Sequence, residues 1–218
     1  MTAPTRIAVL ASGRGSNLQA ILDAIAAGRL RAEVVGVFSD RPAAAALQRV
    51  SANLRWAHAP KEFQDRAAYE QALGDALAAV APDWIVCAGY MRILGAAFVQ
   101  RFNGRLVNIH PSLLPAFAGL HTHRRALQAG VKVHGCTVHF VTSELDNGPI
   151  VVQAAVPVLP DDDENSLAAR VLAQEHRIYP QAIRWFCEDR IELTPPGSVR
   201  IKKAHAAKDV LLSPALDP

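Results

Sequence analysis

Residues 7–38 read IAVLASGRGSNLQAILDAIAAGRLRAEVVGVF, and this stretch decides the architecture. Residues 7–10 are an apolar run with a β-branched bias, as in a buried strand. Ala-Ser-Gly-Arg-Gly-Ser-Asn follows at 11–17, and then Leu18, Ile21, Leu22 and Ile25 recur at helical spacing. Gly28 ends that helix, and residues 34–38 form a second buried strand. Strand, glycine turn, helix and strand make a right-handed βαβ unit in a parallel sheet. Ser16 or Asn17 is placed to cap the helix. A helix start of this kind offers unpaired N–H groups and a positive dipole end to an anion. Gly13 and Gly15 give G-x-G, but Leu18 stands where a dinucleotide fingerprint has its third glycine, and no Gly-Lys-Ser/Thr ending is present. A single phosphate monoester fits the turn better than a dinucleotide, and a plain tight turn fits it equally.

Working outward, residues 43–50 read as a short helix, 56–58 as a strand, 62–80 as a helix and 84–88 as a near-continuous apolar strand. Alternation of this kind predicts an α/β fold, a Rossmann-like open sheet with helices on both faces. Ligands of such sheets bind outside the carboxyl ends of the strands. The loops at 12–16, 39–42, 89–94 and 110–119 should therefore gather on one edge.

Residues 106–123, LVNIHPSLLPAFAGLHTH, supply the polar groups for that edge. Alternation along a strand points Asn108 and His110 to one face. Pro111 stops the strand, and an unusually apolar loop follows, built to line a pocket. A helix over 122–128 ends at Gly130. Residues 134–141 alternate as a strand, with Thr137 and His139 on one face and Val138 and Phe140 on the other. The loop at 143–149 then leads to a strand over 150–158, which makes the C-terminal part of the sheet antiparallel. Acidic residues 161–164 precede a helix over 166–186, and residues 191–193 suit an edge strand. Pro195, Pro196, Gly197, Pro214 and Pro218 mark an appended tail over 194–218. The expected organisation is one domain over 1–193, with a phosphate-substrate half at about 1–103 and a catalytic half at about 104–193.

Composition narrows the function classes. Half of the 218 residues are apolar and the net charge is +3, as in an ordinary soluble globular protein. Lys202 and Lys203 have no interleaved aromatic residues, which argues against nucleic-acid binding. Cys87, Cys136 and Cys187 are odd in number and form no C-x-x-C pair, which points away from a disulfide framework and towards a reducing, cytoplasmic setting. No run reaches membrane-spanning length. His121, His123, His134 and His139 lack the helical H-E-x-x-H arrangement, so no metal is expected, and His139 and His176 read as structural histidines.

Asn108, His110 and Asp146 form the constellation that carries chemistry. A histidine exchanges protons near neutral pH. An asparagine N–H stabilises an oxyanion on a tetrahedral carbon. A nearby carboxylate favours the imidazolium. The set suits attack of an amine on a one-carbon or acyl carbonyl. Ser112 lies in a proline-flanked loop rather than a nucleophile elbow, which disfavours a serine hydrolase.

The motifs ASGRGSNLQA (11–20), AGYMRIL (88–94), NIHPSLLP (108–115), GLHTH (119–123), HFVTSELDNGPI (139–150) and QEHRIYP (174–180) are recognisable together. The chain resembles the phosphoribosylglycinamide formyltransferases, folate-dependent enzymes of purine synthesis, from about residue 7 to residue 193. The resemblance implies 10-formyltetrahydrofolate as co-substrate and 5-phosphoribosylglycinamide as the amine acceptor. It implies that Gly15, Ser16 and Asn17 bind the phosphate and Glu175 the glycinamide part. It implies folate contacts from Arg66, Met91, Arg92, Ile93, Leu94, Asn108 and Val141, and catalysis by Asn108, His110 and Asp146. Partners are then small molecules alone, with the protein a monomer or homodimer. Departures from the pattern are Ala116-Phe117-Ala118, Leu172 and Asn147. A formyltetrahydrofolate deformylase is the nearest alternative, but it carries an extra N-terminal domain for which a first strand beginning at Arg6 leaves no room. A methionyl-tRNA formyltransferase needs a C-terminal RNA-binding domain, and only 25 residues follow Leu193.

Overall fold

The computed structural model describes residues 3–195 and 197–204. The hydrogen-bonded strand order is β3-β2-β1-β4-β5-β6-β7, with a separate pair β8-β9. The strands are β1 (Thr5–Leu10), β2 (Ala32–Ser39), β3 (Arg55–Ala57), β4 (Trp84–Cys87), β5 (Leu106–His110), β6 (Val133–Phe140), β7 (Ile150–Pro157), β8 (Ile191–Thr194) and β9 (Ser198–Ile201). The helices are α1 (Ser16–Ala26), α2 (Arg66–Ala79), α3 (Ala96–Arg101), α4 (Thr122–Gln128) and α5 (Glu164–Cys187). The first five strands pair in parallel, whereas β6 and β7 are antiparallel. The mostly parallel sheet with an antiparallel C-terminal part is therefore present.

The chain forms two compact units. One comprises Met1–Asn108 with Phe140–Glu144, and the other comprises Ile109–His139 and the chain from Leu145 onward. In the first unit, β1 and β2 are buried on both faces, which explains their continuous apolar runs. Leu10, Phe38, Tyr69, Leu73, Ile85, Phe98 and Phe102 belong to its core. The helix expected over 62–80 begins only at Arg66. Asp65 caps it, accepting from the Ala68 N–H at 2.8 Å. Phe63 is apolar because its ring meets Tyr69 edge-on with centroids 5.3 Å apart, not because it lies on the helix. The short α3, which sequence reasoning left unassigned, buries Phe98 and Val99.

In the second unit, β6 departs from the expected alternation, because every residue from His134 to Phe140 is buried. One face of the β6–β7 pair packs Cys136 and Val156 with Ala126, Leu167 and Val171 of the helices. On the other face, Thr137 donates to the Ser112 carbonyl at 2.7 Å and accepts from the Leu114 N–H at 3.0 Å. Gly135 is required by close approach. A Cβ there would lie 2.0 Å from the Ala154 carbonyl oxygen and 2.9 Å from Leu113. Asp163 and Ser166 close a capping box, so α5 starts at Glu164, two residues before the expected position. At the C-terminal end, β9 pairs antiparallel with β8. Part of the expected tail, residues 198–201, thus pairs with residues 191–194, and residues 196 and 205–218 lie outside the described residues.

Candidate active site

The loops at the carboxyl ends of β1, β2 and β4 meet in the first unit. The Ser12 N–H donates to the Gly89 carbonyl at 3.0 Å. The Ser12 hydroxyl donates to Asp40 at 2.5 Å and accepts from the Met91 N–H at 2.9 Å. One serine ties three loops together. Neither Ser16 nor Asn17 caps α1. The capping position is Gly15, with φ 72° and no side-chain cap bond. A Cβ on Gly15 would lie 2.7 Å from Ala46, so the left-handed turn and the close approach both require glycine. This leaves the helix entrance to backbone N–H groups, beside the half-buried Ser16 and buried Asn17.

The loop after β4 presents Met91 and Ile93 outward, 54% and 59% exposed, while Leu94 packs on the core. Arg66 reaches this loop from α2. Its Nη2 donates to the Ile93 carbonyl at 2.8 Å and its Nε to Glu70 at 2.7 Å, and Glu70 also accepts from the Gly95 N–H at 3.1 Å. The Arg92 guanidinium lies 5.7 Å from the centre of the Tyr69 ring. Val141 packs on the same core and donates its N–H to the Leu106 carbonyl at 2.9 Å.

The second unit holds the titratable set. His110 Nδ1 lies 3.4 Å from Asp146 Oδ2, and the two side chains are only 8% and 10% exposed. His110 Nε2 lies 3.1 Å from the Phe117 carbonyl oxygen. Both ring nitrogens thus face acceptor oxygens. Asp146 also accepts from the Gly119 N–H at 2.8 Å, so residues 111–119 fold back and grip both members of the pair. Phe117, His121 and Asp146 all adopt positive φ, at 57°, 56° and 50°. The Ser112 hydroxyl donates to the Ala116 carbonyl at 2.7 Å and is fully buried, which commits it to holding the loop. Asn108 is half-buried on β5, two residues before His110.

Sequence reasoning took His139 as a structural histidine, and the structure sets it near the same carboxylate. Its Nε2 lies 3.9 Å from Asp146 Oδ1, whereas His110 faces Oδ2. His134 is buried against the rings of Phe117 and His123, and burial lowers its pKa to about 4. Burial likewise lowers the pKa of His123. These two rings are neutral at pH 7. Glu175 is buried on α5. Together with burial, its charge pushes the Cys136 thiol up to about 12. Among the described residues no group of three or more His, Cys, Asp or Glu is placed to hold a metal ion.

Comparison with known proteins adds independent findings. The family profile described as Formyl transferase matches residues 5–183. The phosphoribosylglycinamide formyltransferase of Escherichia coli K12 is 49% identical over 189 residues, covering 86% of this chain and 89% of that protein. The crystal structure of glycinamide ribonucleotide transformylase 1 from Symbiobacterium toebii superimposes with a TM-score of 0.88 at 48% identity, over 92% of this chain and 95% of that one. A formyltetrahydrofolate deformylase from Pseudomonas syringae has a TM-score of 0.83 at 24% identity, over 93% of this chain and 67% of that one, a likeness of fold.

Proposed function

The chain belongs to the formyl transferase family, and from that membership we propose how its residues carry the reaction. The protein transfers the formyl group of 10-formyltetrahydrofolate to the amine of 5-phosphoribosylglycinamide, a step of purine biosynthesis. The observation that carries the chemistry is the buried His110–Asp146 pair at 3.4 Å, directly after the strand position of Asn108.

The amine nitrogen attacks the formyl carbon, and the carbonyl oxygen becomes an oxyanion. The Asn108 amide stabilises that charge, joined by the His110 imidazolium when its Nε2–H turns from the Phe117 carbonyl to the oxyanion. Asp146 holds the imidazole in orientation from Nδ1. A proton then moves through water from the new ammonium to the folate nitrogen as the carbon–nitrogen bond to folate breaks. The products are the formylated amine and tetrahydrofolate. An oxyanion partner and a proton carrier meet the demands of this chemistry, so the reading uses no metal.

In the same reading, Gly15, Ser16 and Asn17 receive the phosphate, a cradle that a Cβ on Gly15 would fill. Glu175 takes the glycinamide portion. Arg66, Met91, Arg92, Ile93, Leu94 and Val141, with Asn108, take the folate. The two partners are small molecules, with no nucleic acid or membrane involved, and the protein works in the cytoplasm as a monomer or homodimer. Among the described residues no helix is long and apolar enough to cross a membrane.

Incubation of the pure protein with 10-formyltetrahydrofolate, with and without phosphoribosylglycinamide, tests the reading. Tetrahydrofolate should form only when the amine is present, together with an equal amount of formylated amine. Release of formate without the amine would identify a deformylase instead.

A further inference from the structure

The turn at residues 13–15 has every carbonyl occupied. The Ala46 N–H donates to the Gly13 carbonyl at 3.0 Å, and the Gln19 N–H donates to the Gly15 carbonyl at 2.9 Å. The middle carbonyl, that of Arg14, accepts from Arg49 Nε at 3.0 Å. The same guanidinium donates through Nη1 to Gln19 Oε1 at 2.7 Å, and Gln19 donates in turn to Asp23 at 2.8 Å. Arg49 therefore clasps the turn to the first coil of α1 from outside. It is packed against the backbone, since a Cβ on Gly15 would lie 3.0 Å from its Nε.

Two physical consequences follow. A carbonyl facing an anion repels it, so occupying the Arg14 carbonyl leaves N–H groups as the polar face of the turn. Both acceptors on Arg49 are neutral, and among the described residues no carboxylate pairs with it. Its charge therefore adds to the positive end of α1. The planar fork matters as well, because a lysine could not span a carbonyl and an amide oxygen in fixed geometry.

Resting on the reading that this turn receives the substrate phosphate, we propose that Arg49 is the positioning residue of the phosphate site. It holds the Arg14 carbonyl back, and its charge makes the protein select a phosphorylated amine over the same amine without phosphate.

Steady-state kinetics of Arg49→Gln and Arg49→Lys test this with phosphoribosylglycinamide and its dephosphorylated form. Arg49→Gln should raise KM for the phosphorylated amine by about tenfold, the worth of one charge-assisted contact. KM for the formyl donor should stay within about twofold, and the preference for the phosphorylated amine should fall by the same factor of ten or so. Arg49→Lys, which keeps charge without the fork, should recover only part of the preference. An unchanged preference in Arg49→Gln overturns the proposal, and so does a loss shared equally by both amines. Calorimetric titration with inorganic phosphate separates this proposal from the function on which it rests. A parent protein that binds phosphate but transfers no formyl group would refute the function, and unweakened phosphate binding by Arg49→Gln would refute the role of Arg49.

Discussion

The turn at residues 13–15 and the loop at residues 111–119 both follow parallel strands, yet they are built by opposite means. The first is made of backbone. Its conformation needs a glycine at Gly15, its carbonyls are all bonded, and no titratable group lies within it other than arginine. The second contains no ionisable residue itself but holds two that flank it, His110 through the Phe117 carbonyl and Asp146 through the Gly119 N–H, and the bulky Phe117 within it accepts positive φ. The difference follows from what each must do. In the proposed reading, a phosphate already carries its charge and is met by fixed dipoles and the fixed charge of Arg49. A proton transfer needs groups whose charge changes near neutral pH, and such groups must be held by something stiffer than themselves.

If this contrast holds, variants of the second region should alter rate and acid sensitivity, and variants of the first should alter affinity and backbone stability. The largest effect belongs to Asp146→Asn. It should lower kcat by about three orders of magnitude, with Asn108→Ala lower by about two, while melting temperatures stay near that of the parent. Near-normal turnover in single-turnover assays of Asp146→Asn would end the proposed mechanism. Next comes His134→Phe. Burial holds the folded pKa of His134 at about 4, below the usual value of about 6.5. The unfolded chain therefore binds the extra proton first, and the parent loses stability as pH falls from 6.5 towards 4. Urea titrations should show that His134→Phe is spared about 2–3 kcal/mol of that loss by pH 4. Parallel curves for the two proteins would mean that the buried ring is not the acid-sensitive element. Gly15→Ala should cost about 2 kcal/mol of stability at all pH values, from the left-handed backbone and the contact with Ala46. It should also raise KM for the amine with little change in kcat. A kcat defect as large as the KM defect would erase the contrast between the regions.

The fold was legible where local pattern and burial agree. The apolar runs at residues 7–10 and 34–38 lie in strands buried on both faces, and Gly28 ends α1 with φ 66°. Boundaries failed where a cap outweighed periodicity, as at Asp65, whose side chain starts α2 after Phe63 has already been buried by another route. The alternation read into β6 failed because residues 112–114 cover a face that the local pattern leaves to solvent. At the candidate site, His110 and Asp146 were legible from residue type and order. The grip of Phe117 and Gly119 on that pair was not, because it is made by backbone groups that every residue possesses. The closeness of His139 to Asp146 was illegible for a similar reason, since it depends on how the loop at 141–149 returns and not on spacing.

Arg66 is the first residue of α2, where the helix dipole favours an acidic side chain over a basic one. Glu70, one turn on, offsets part of that repulsion. Arg66→Glu should gain about 0.5 kcal/mol from the dipole but lose about as much to repulsion from Glu70, so that its main effect is on the loop at 91–94, which loses its tether to Ile93. One side chain thus fastens the loop after β4 to the start of α2, so the order of that loop and the stability of the first helical turn should change together in any variant at this position.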